Sequence, residues 1–532
     1  MISPALWRRF VVAGGLTATL CSQVAWVRAT NFTGYDEWLV LALAEKGVLA
    51  VPHDNRPLGL LWVVPAAALH LHHFGAYLAL GATYLLLCAL VLFGLCRRLA
   101  PRDPTLAFVA ATFFLVWAPT DRIRFASFQT PLYGGITFGS WLSIALLVES
   151  WRRRSLMLLA LGAMVAVTTA RSYEASVSLL LVAPVLMGWG AERRSPRFWA
   201  WVCAWEGSVV TALAVMLAAP AEARYYQSSL GTDPVVSRIV ARLARQIGFH
   251  VGPLVTPHLS ELATWAVPVA VGVFLVSHGV ARHATPAGSD QQSRVVGHVK
   301  VVGLGLFLAA AGDAVFALTP SLSSSDRMQF LSGPGIALAL AGLATLISSA
   351  FPRRWQAGAL ALVASWVVAV GTARTVAMQR QWDAVSVYPA ERRTLTSMLD
   401  QIPGLRPNTL VVLIGNTGAW PSVAGFRFAL NYIYGPTVNG WIPGANELFF
   451  STTREGDVFV TEPWPVVAGP WGLTVSHHRS DEVVVCELVD GGVQLLERWP
   501  DSLGPVPAGA SYDPRKRILE RPAPRPEIGI LG

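Results

Sequence analysis

Apolar runs of about 15 to 22 residues, broken by short arginine-bearing segments, fill most of the chain up to about residue 376. They lie near 10–28, 75–96, 104–119, 132–150, 155–170, 173–190, 199–219, 262–281, 299–319, 331–350 and 355–376. This pattern predicts about eleven transmembrane helices. Leu58–Phe74 is apolar too, but counting it as a span would put Arg97, Arg98 and Arg102 on the opposite side from the other basic clusters. Read as an interfacial or re-entrant segment, it leaves six clusters on one side: Arg8/Arg9, Arg97/Arg98/Arg102, Arg152–Arg154, Arg193/Arg194/Arg197, Arg282/Arg294/Lys300 and Arg353/Arg354. Basic residues are retained on the cytoplasmic side, so the N-terminus is expected inside and everything after about residue 377 outside. The flanking arginines and apolar length of "WRRFVVAGGLTATLCSQVAWV" suit a retained signal anchor.

Beyond the last run the pattern changes. "TLVVLIG" reads as a buried strand, and "EVVVCELVDGGVQLLERW" as two strands flanking Asp490-Gly491-Gly492 in a hairpin. Residues 377–532 are long enough for a small extracytoplasmic α/β domain of their own, beside a transmembrane domain over 1–376. The Pro-rich tail from Pro505 predicts loose order.

Composition agrees with a polytopic membrane protein. The 532 residues are 53% hydrophobic and only 14% charged, against about 25% charged in a soluble domain, and the mean hydropathy is +0.47. The net charge of +9 follows from the basic cytoplasmic clusters and calls for no nucleic-acid partner. Four of the five cysteines fall in apolar runs, which excludes a disulfide framework or a CxxC metal pattern.

The first external loop opens "TGYDEWLVLALAEKG" and returns through "DNRPLG". Asp36 and Glu37 suit the first turn of a helix, with Lys46-Gly47 as its stop. Alternatively they are carboxylates at the membrane surface, where one can serve as general base.

In these residues the chain resembles the polytopic GT-C glycosyltransferases that use polyprenyl-phosphate sugars, nearest to the aminoarabinose transferase and protein O-mannosyltransferase branch. The resemblance rests on Asp36-Glu37, on Arg56-Pro57-Leu58 leading into the next apolar segment, and on the topology. It implies a GT-C-like α-helical membrane fold with interfacial helices, and inverting transfer from a polyprenyl-phosphate donor to an extracytoplasmic acceptor such as a cell-envelope glycan, lipid or protein. It also implies location in the cytoplasmic membrane and Asp36 or Glu37 as base. A departing lipid phosphate needs cationic stabilisation, which Arg supplies well. Arg56, Arg171, Arg327 and Arg245 are the candidates, with Glu174, Asp121, Asp313 and His250 supporting. Arg171 and Glu174 would share a face if helical there. Asp313 lies inside an apolar run, a costly place for an acid. Arg245 and His250 belong to "VVSRIVARLARQIGFHVGP", an amphipathic helix expected on the membrane surface.

No P-loop or strand-following GxGxxG is present, and the cytoplasmic loops are short. A lipid-linked donor therefore fits better than a nucleotide sugar. Some relatives hold a divalent ion beside the acidic motif, which leaves metal dependence open. Two other readings of the whole chain stand beside the glycosyltransferase: a transporter or flippase, and a non-catalytic envelope protein.

Overall fold

The computed structural model describes residues 4–28, 31, 35–51, 55–69, 74–101, 103–117, 124, 129–188, 195–218, 236–255, 267–284, 291–317, 329–420, 422–506 and 508–524. They divide into two compact units. The first comprises residues 1–27, 79–125 and 130–381, and the second 28–78, 126–129 and 382–532. The second thus takes up the first loop as well as the C-terminal region.

The first unit is helical. Each of the eleven apolar runs contains helix, and among the described residues five helices are long and apolar enough to cross a membrane: Phe74–Leu99, Thr130–Arg153, Pro196–Leu217, Val295–Ala317 and Arg353–Val385. Shorter apolar helices occupy Val12–Val24, Pro104–Val116, Leu156–Ser172, Ser176–Met187 and Gly333–Ser349. The expected count of eleven crossings is therefore not met by length alone. Helix Pro104–Val116 has 13 residues, roughly 20 Å of rise, against a hydrocarbon core of about 30 Å.

That short helix forms the centre of the unit. Every residue from Thr105 to Val116 is buried, with helices Gly333–Ser349, Pro4–Val24 and Val267–Ala284 packed around it. A helix apolar all round is what such a position requires. Between helices Pro4–Val24 and Arg353–Val385 a buried polar link replaces apolar packing. Gln23 donates to Thr372 at 2.9 Å and accepts from Thr375 at 2.8 Å. At one end of the unit Arg98 and Arg152 converge on Glu149, at 3.0 and 3.8 Å. Two of the basic clusters thus lie at the same end, as the charge pattern requires.

The second unit has an α/β core. Strands β1 (Gly404–Leu405), β2 (Leu410–Gly415), β3 (Asn439–Trp441), β4 (Phe450–Glu455), β5 (Val458–Pro463), β6 (Ser476–Arg479), β7 (Val483–Val489), β8 (Gly492–Leu495) and β9 (Ile518–Leu519) form three sheets. The main sheet runs β3-β2-β7-β8, with β2 parallel to both β3 and β7. Leu410–Leu413 are fully buried, which is why this strand reads as an unbroken apolar run. β7 and β8 pair through the two-residue turn Asp490-Gly491, both at positive φ, as the sequence predicts. The free edge of β8 is covered by helix Tyr388–Gln401. Ser397 and Gln401 accept from the backbone N–H groups of Val493 and Leu495, each at 2.8 Å. β4, β5 and β6 form a separate antiparallel sheet.

Candidate functional site

Helix Tyr35–Glu45 carries the acidic motif in its first turn. Its residues from Glu37 to Ala44 are all buried, because it packs along helix Val423–Tyr434 of the α/β core. Trp38 fixes the register. Its ring lies 6.3 Å from that of Tyr432, and its indole N–H donates to Glu391 Oε2 at 3.1 Å.

Glu391 opens helix Tyr388–Gln401 and is fully buried, and its Oε1 has no hydrogen-bond partner. Burial pushes its pKa up to about 8, and the Glu37 charge adds to the rise while the indole N–H opposes it. The helix thus brings two buried carboxylates into one electrostatic neighbourhood, with Glu391 holding a proton at neutral pH. Asp36 lies in the same turn, and its side chain is outside the described residues.

The sign of the pH dependence follows. A raised acid pKa means that the folded state holds a proton which the unfolded state releases. Stability is full below the ordinary value of 4.5 and falls as pH rises towards about 8. Glu391→Gln keeps an acceptor for Trp38 and removes the titration. Amide hydrogen exchange across helix Tyr35–Glu45 is expected to quicken with pH, beyond its intrinsic dependence, in the wild type and not in the variant. At the top of the window the variant gains on the order of a few kcal/mol of protection. Parallel profiles would show that Glu391 does not govern the docking of this helix.

The re-entry segment belongs to the same unit. Arg56 pairs with Val51 across a short bridge, N–H to O at 3.0 and 2.7 Å. The turn is tight enough that a Cβ at Gly59 would fall 2.6 Å from the Val51 side chain. Arg56 is half-buried there.

Within the helical unit a small cavity is lined by Arg124, Tyr133, Trp117, Phe114, Gln329 and Phe330, among others. Arg124 donates to the carbonyls of Phe114, at 3.0 Å, and of Leu115, the last acceptors of helix Pro104–Val116. A cation suits a helix C-terminus both by hydrogen bonding and by the dipole. The Tyr133 ring lies tilted against Phe330 at 4.8 Å and edge-on to Tyr173 at 6.1 Å. The cavity therefore has aromatic walls and one permanent cation. Arg124→Ala is expected to destabilise this unit by about 1.5–3 kcal/mol, the usual worth of a hydrogen bond to a charged group. Thermal unfolding in detergent checks it, and an unchanged midpoint would remove Arg124 from the cap.

The other sequence-predicted residues are dispersed. Helix Leu156–Ser172 ends before Glu174, with Tyr173 extended, so Arg171 and Glu174 do not share a helical face. Asp313 is buried within its helix. Arg245 is exposed and lies over the Phe249 ring at 5.6 Å. His250, on the same helix, is fully buried and 3.1 Å from Ser332 Oγ. Ser332 spends its proton on Gln329 O, so His250 Nε2 is the donor. Burial lowers its pKa to about 3, keeping the ring neutral. Asp121 and Arg327 lie outside the described residues. No group of three or more metal-ligating side chains occurs among the described residues.

Glu391 and Arg124 were missed. Arg124 stands in "DRIRF", whose charges were the available signal. For Glu391 there was none, since a Glu three residues into a helix is ordinary.

No known family matches the chain, and no curated protein matches it. Among solved structures it is similar to the apo crystal structure of the Archaeoglobus fulgidus oligosaccharyltransferase, at 12% identity and a TM-score of 0.43, over 83% of this chain and 65% of that one. It is also similar to the archaeal oligosaccharyltransferase AglB from Archaeoglobus fulgidus in complex with an inhibitory peptide and a dolichol-phosphate, at 13% identity and a TM-score of 0.41, over 81% and 64%. The chain spans slightly less than two thirds of the length of either protein. A likeness this distant assigns neither family nor activity.

Proposed function

We propose that the protein is an integral-membrane glycosyltransferase of the GT-C type, moving a sugar from a polyprenyl-phosphate donor to an acceptor outside the cytoplasm. The observation that carries this reading is the placement of the acidic motif. Helix Tyr35–Glu45 and Arg56 fold into the α/β unit, and the charge pattern supports an outer position for that unit. A carboxylate, an arginine and a folded domain thus share one unit, and the acceptor is expected there.

The proposed reaction is a single displacement. An acceptor hydroxyl or amine attacks the anomeric carbon while Asp36 takes its proton. The bond from that carbon to the phosphate oxygen breaks, and polyprenyl phosphate leaves as an anion. Such a leaving group already carries charge, so it needs a cation more than a general acid. Arg56 is the first candidate, with Arg171, Arg327 and Arg245 behind it. Glu37 is a weaker candidate base than Asp36 because it is fully buried beside Glu391. The orientation proposed is a multi-pass protein of the cytoplasmic membrane, N-terminus inside and C-terminal domain outside.

The deciding experiment gives purified protein in detergent a panel of radiolabelled polyprenyl-phosphate sugars with cell-envelope acceptors, with and without a divalent ion. Label transferred or released with inversion supports the reading. Binding followed by movement across a proteoliposome membrane, without turnover, would replace it with a transporter. Folded protein that binds none of the donors would leave a non-catalytic envelope protein.

A further inference from the structure

Helix Val423–Tyr434 is buried along its whole length, and its one arginine is buried with it. Arg427 is 4% exposed, and its Nε and Nη1 are buried without a hydrogen-bond partner. The guanidinium carbon stands 3.9 Å from the centre of the Phe450 ring. Stacking therefore occupies one face of the group and leaves the donors at its edge unspent. A buried charged donor left without a partner keeps its full desolvation cost, and cation–π stacking opposes that cost without supplying the missing hydrogen bonds. The ring alone does not offset a buried charge with two empty donors.

One neighbour, Lys46, adds a second positive charge. Trp38 meets Tyr432 near the start of one helix and the end of the other, so helix Tyr35–Glu45 runs antiparallel to Val423–Tyr434. That direction carries Lys46, just past its last turn, towards Arg427 in the second turn of its partner. Partial burial and the Arg427 charge both lower the Lys46 pKa. His478 on β6 senses the Glu482 charge as well as those of Arg427 and Arg517. Its Nδ1 lies 3.2 Å from Asn408 O, and its Nε2 is 2.8 Å from the Asn439 amide nitrogen. The amide can only donate, so Nε2 accepts and the ring is the neutral Nδ1–H tautomer. Burial holds it so, lowering the pKa to about 4. Among the described residues no ion pair reaches Arg427 or Lys46.

We propose that Arg427 and Lys46 form a binding site for a phosphate-bearing anion. The planar guanidinium offers paired donors that match phosphate oxygens, and the ammonium supplies a second, mobile charge. Lys46 comes from the first loop and Arg427 from the C-terminal core, so a bound anion ties the two segments together. The site does not depend on the transfer reaction.

The test uses the full chain in detergent, with thermal unfolding followed as inorganic phosphate replaces chloride at constant ionic strength. Phosphate is expected to raise the unfolding temperature saturably, because a ligand of the folded state alone stabilises it. Lys46→Gln, a surface change, and Arg427→Lys, which keeps charge but loses the fork, are each expected to weaken the apparent affinity about tenfold, the effect of one charge-assisted hydrogen bond. Nanodiscs of phosphatidylcholine with or without phosphatidate separate the two sources. Stabilisation by phosphatidate and not by free phosphate identifies a lipid headgroup, and the reverse a soluble anion. If neither stabilises the wild type, or Lys46→Gln responds as the wild type does, the proposal fails.

Discussion

Asp36→Asn is expected to lower sugar transfer about 10²–10⁴-fold, the range supplied by a positioned general base. Asn has the size and shape of Asp but cannot take a proton at neutral pH. The structural cost of the change is small by comparison. Losing an acid from a helix first turn costs about 0.3–1 kcal/mol, whereas the expected rate loss corresponds to about 2.7–5.4 kcal/mol of barrier. The two effects are also read separately, since turnover per folded molecule is blind to a modest change in stability. Glu37→Gln is the control. Glu37 is fully buried and its charge bears on Glu391, so this variant is expected to change the pH profile of stability while keeping turnover. The measurement is initial rate with labelled donor for both variants. Wild-type rates in Asp36→Asn would end its role as base, and a loss in Glu37→Gln alone would transfer that role to its neighbour.

The second large effect concerns two helices of the spanning unit. A Cβ at Gly335 would stand 2.5 Å from Ala309 N, and one at Gly305 would stand 2.4 Å from Ala339 N. The contact is reciprocal: Gly305 and Ala309 on helix Gln291–Ala317 oppose Gly335 and Ala339 on helix Gly333–Ser349, each pair four residues apart. Small residues at this spacing let backbones touch, which is how helices associate where lipid removes the hydrophobic advantage. The obstructing atoms are backbone, so no rotamer change relieves a larger side chain. Helix Gly333–Ser349 also packs against helix Pro104–Val116. Gly335→Val is accordingly expected to destabilise the unit by about 3 kcal/mol or more, at the upper end for overpacked cores. Gly303→Val, on the same helix as Gly305 but with nothing within 4 Å of its Cβ position, is expected to stay within about 0.5 kcal/mol of wild type. Thermal unfolding in detergent compares them. Equal midpoints for Gly335→Val and wild type would mean that the helices do not approach this closely.

How much of this was legible beforehand differs by feature. Apolar runs located helix in all eleven places, because burial in lipid or in a bundle demands the same unbroken apolarity. For that same reason they did not show that Pro104–Val116 would be a short helix buried on every side. The β7–β8 hairpin was legible because a two-residue Asp-Gly turn is a local choice of backbone angles. Asp36, Glu37 and Arg56 were found as chemistry in a loop, with no sign of what the loop would fold against.

By itself, then, the chain determined what depends on near neighbours: the helical runs, the hairpin and the acidic motif. Tertiary structure alone decided what depends on distant ones. Trp38 and Glu391 are 353 residues apart in sequence, and the Gly305–Gly335 crossing depends on the relative position of two helices. Helix Tyr35–Glu45 joined the C-terminal core because its all-round apolar surface had to be buried. That burial left Glu391 protonated and brought Lys46 towards Arg427. Charges acquire such properties only when desolvated together, and desolvation is a property of the fold, not of spacing along the chain.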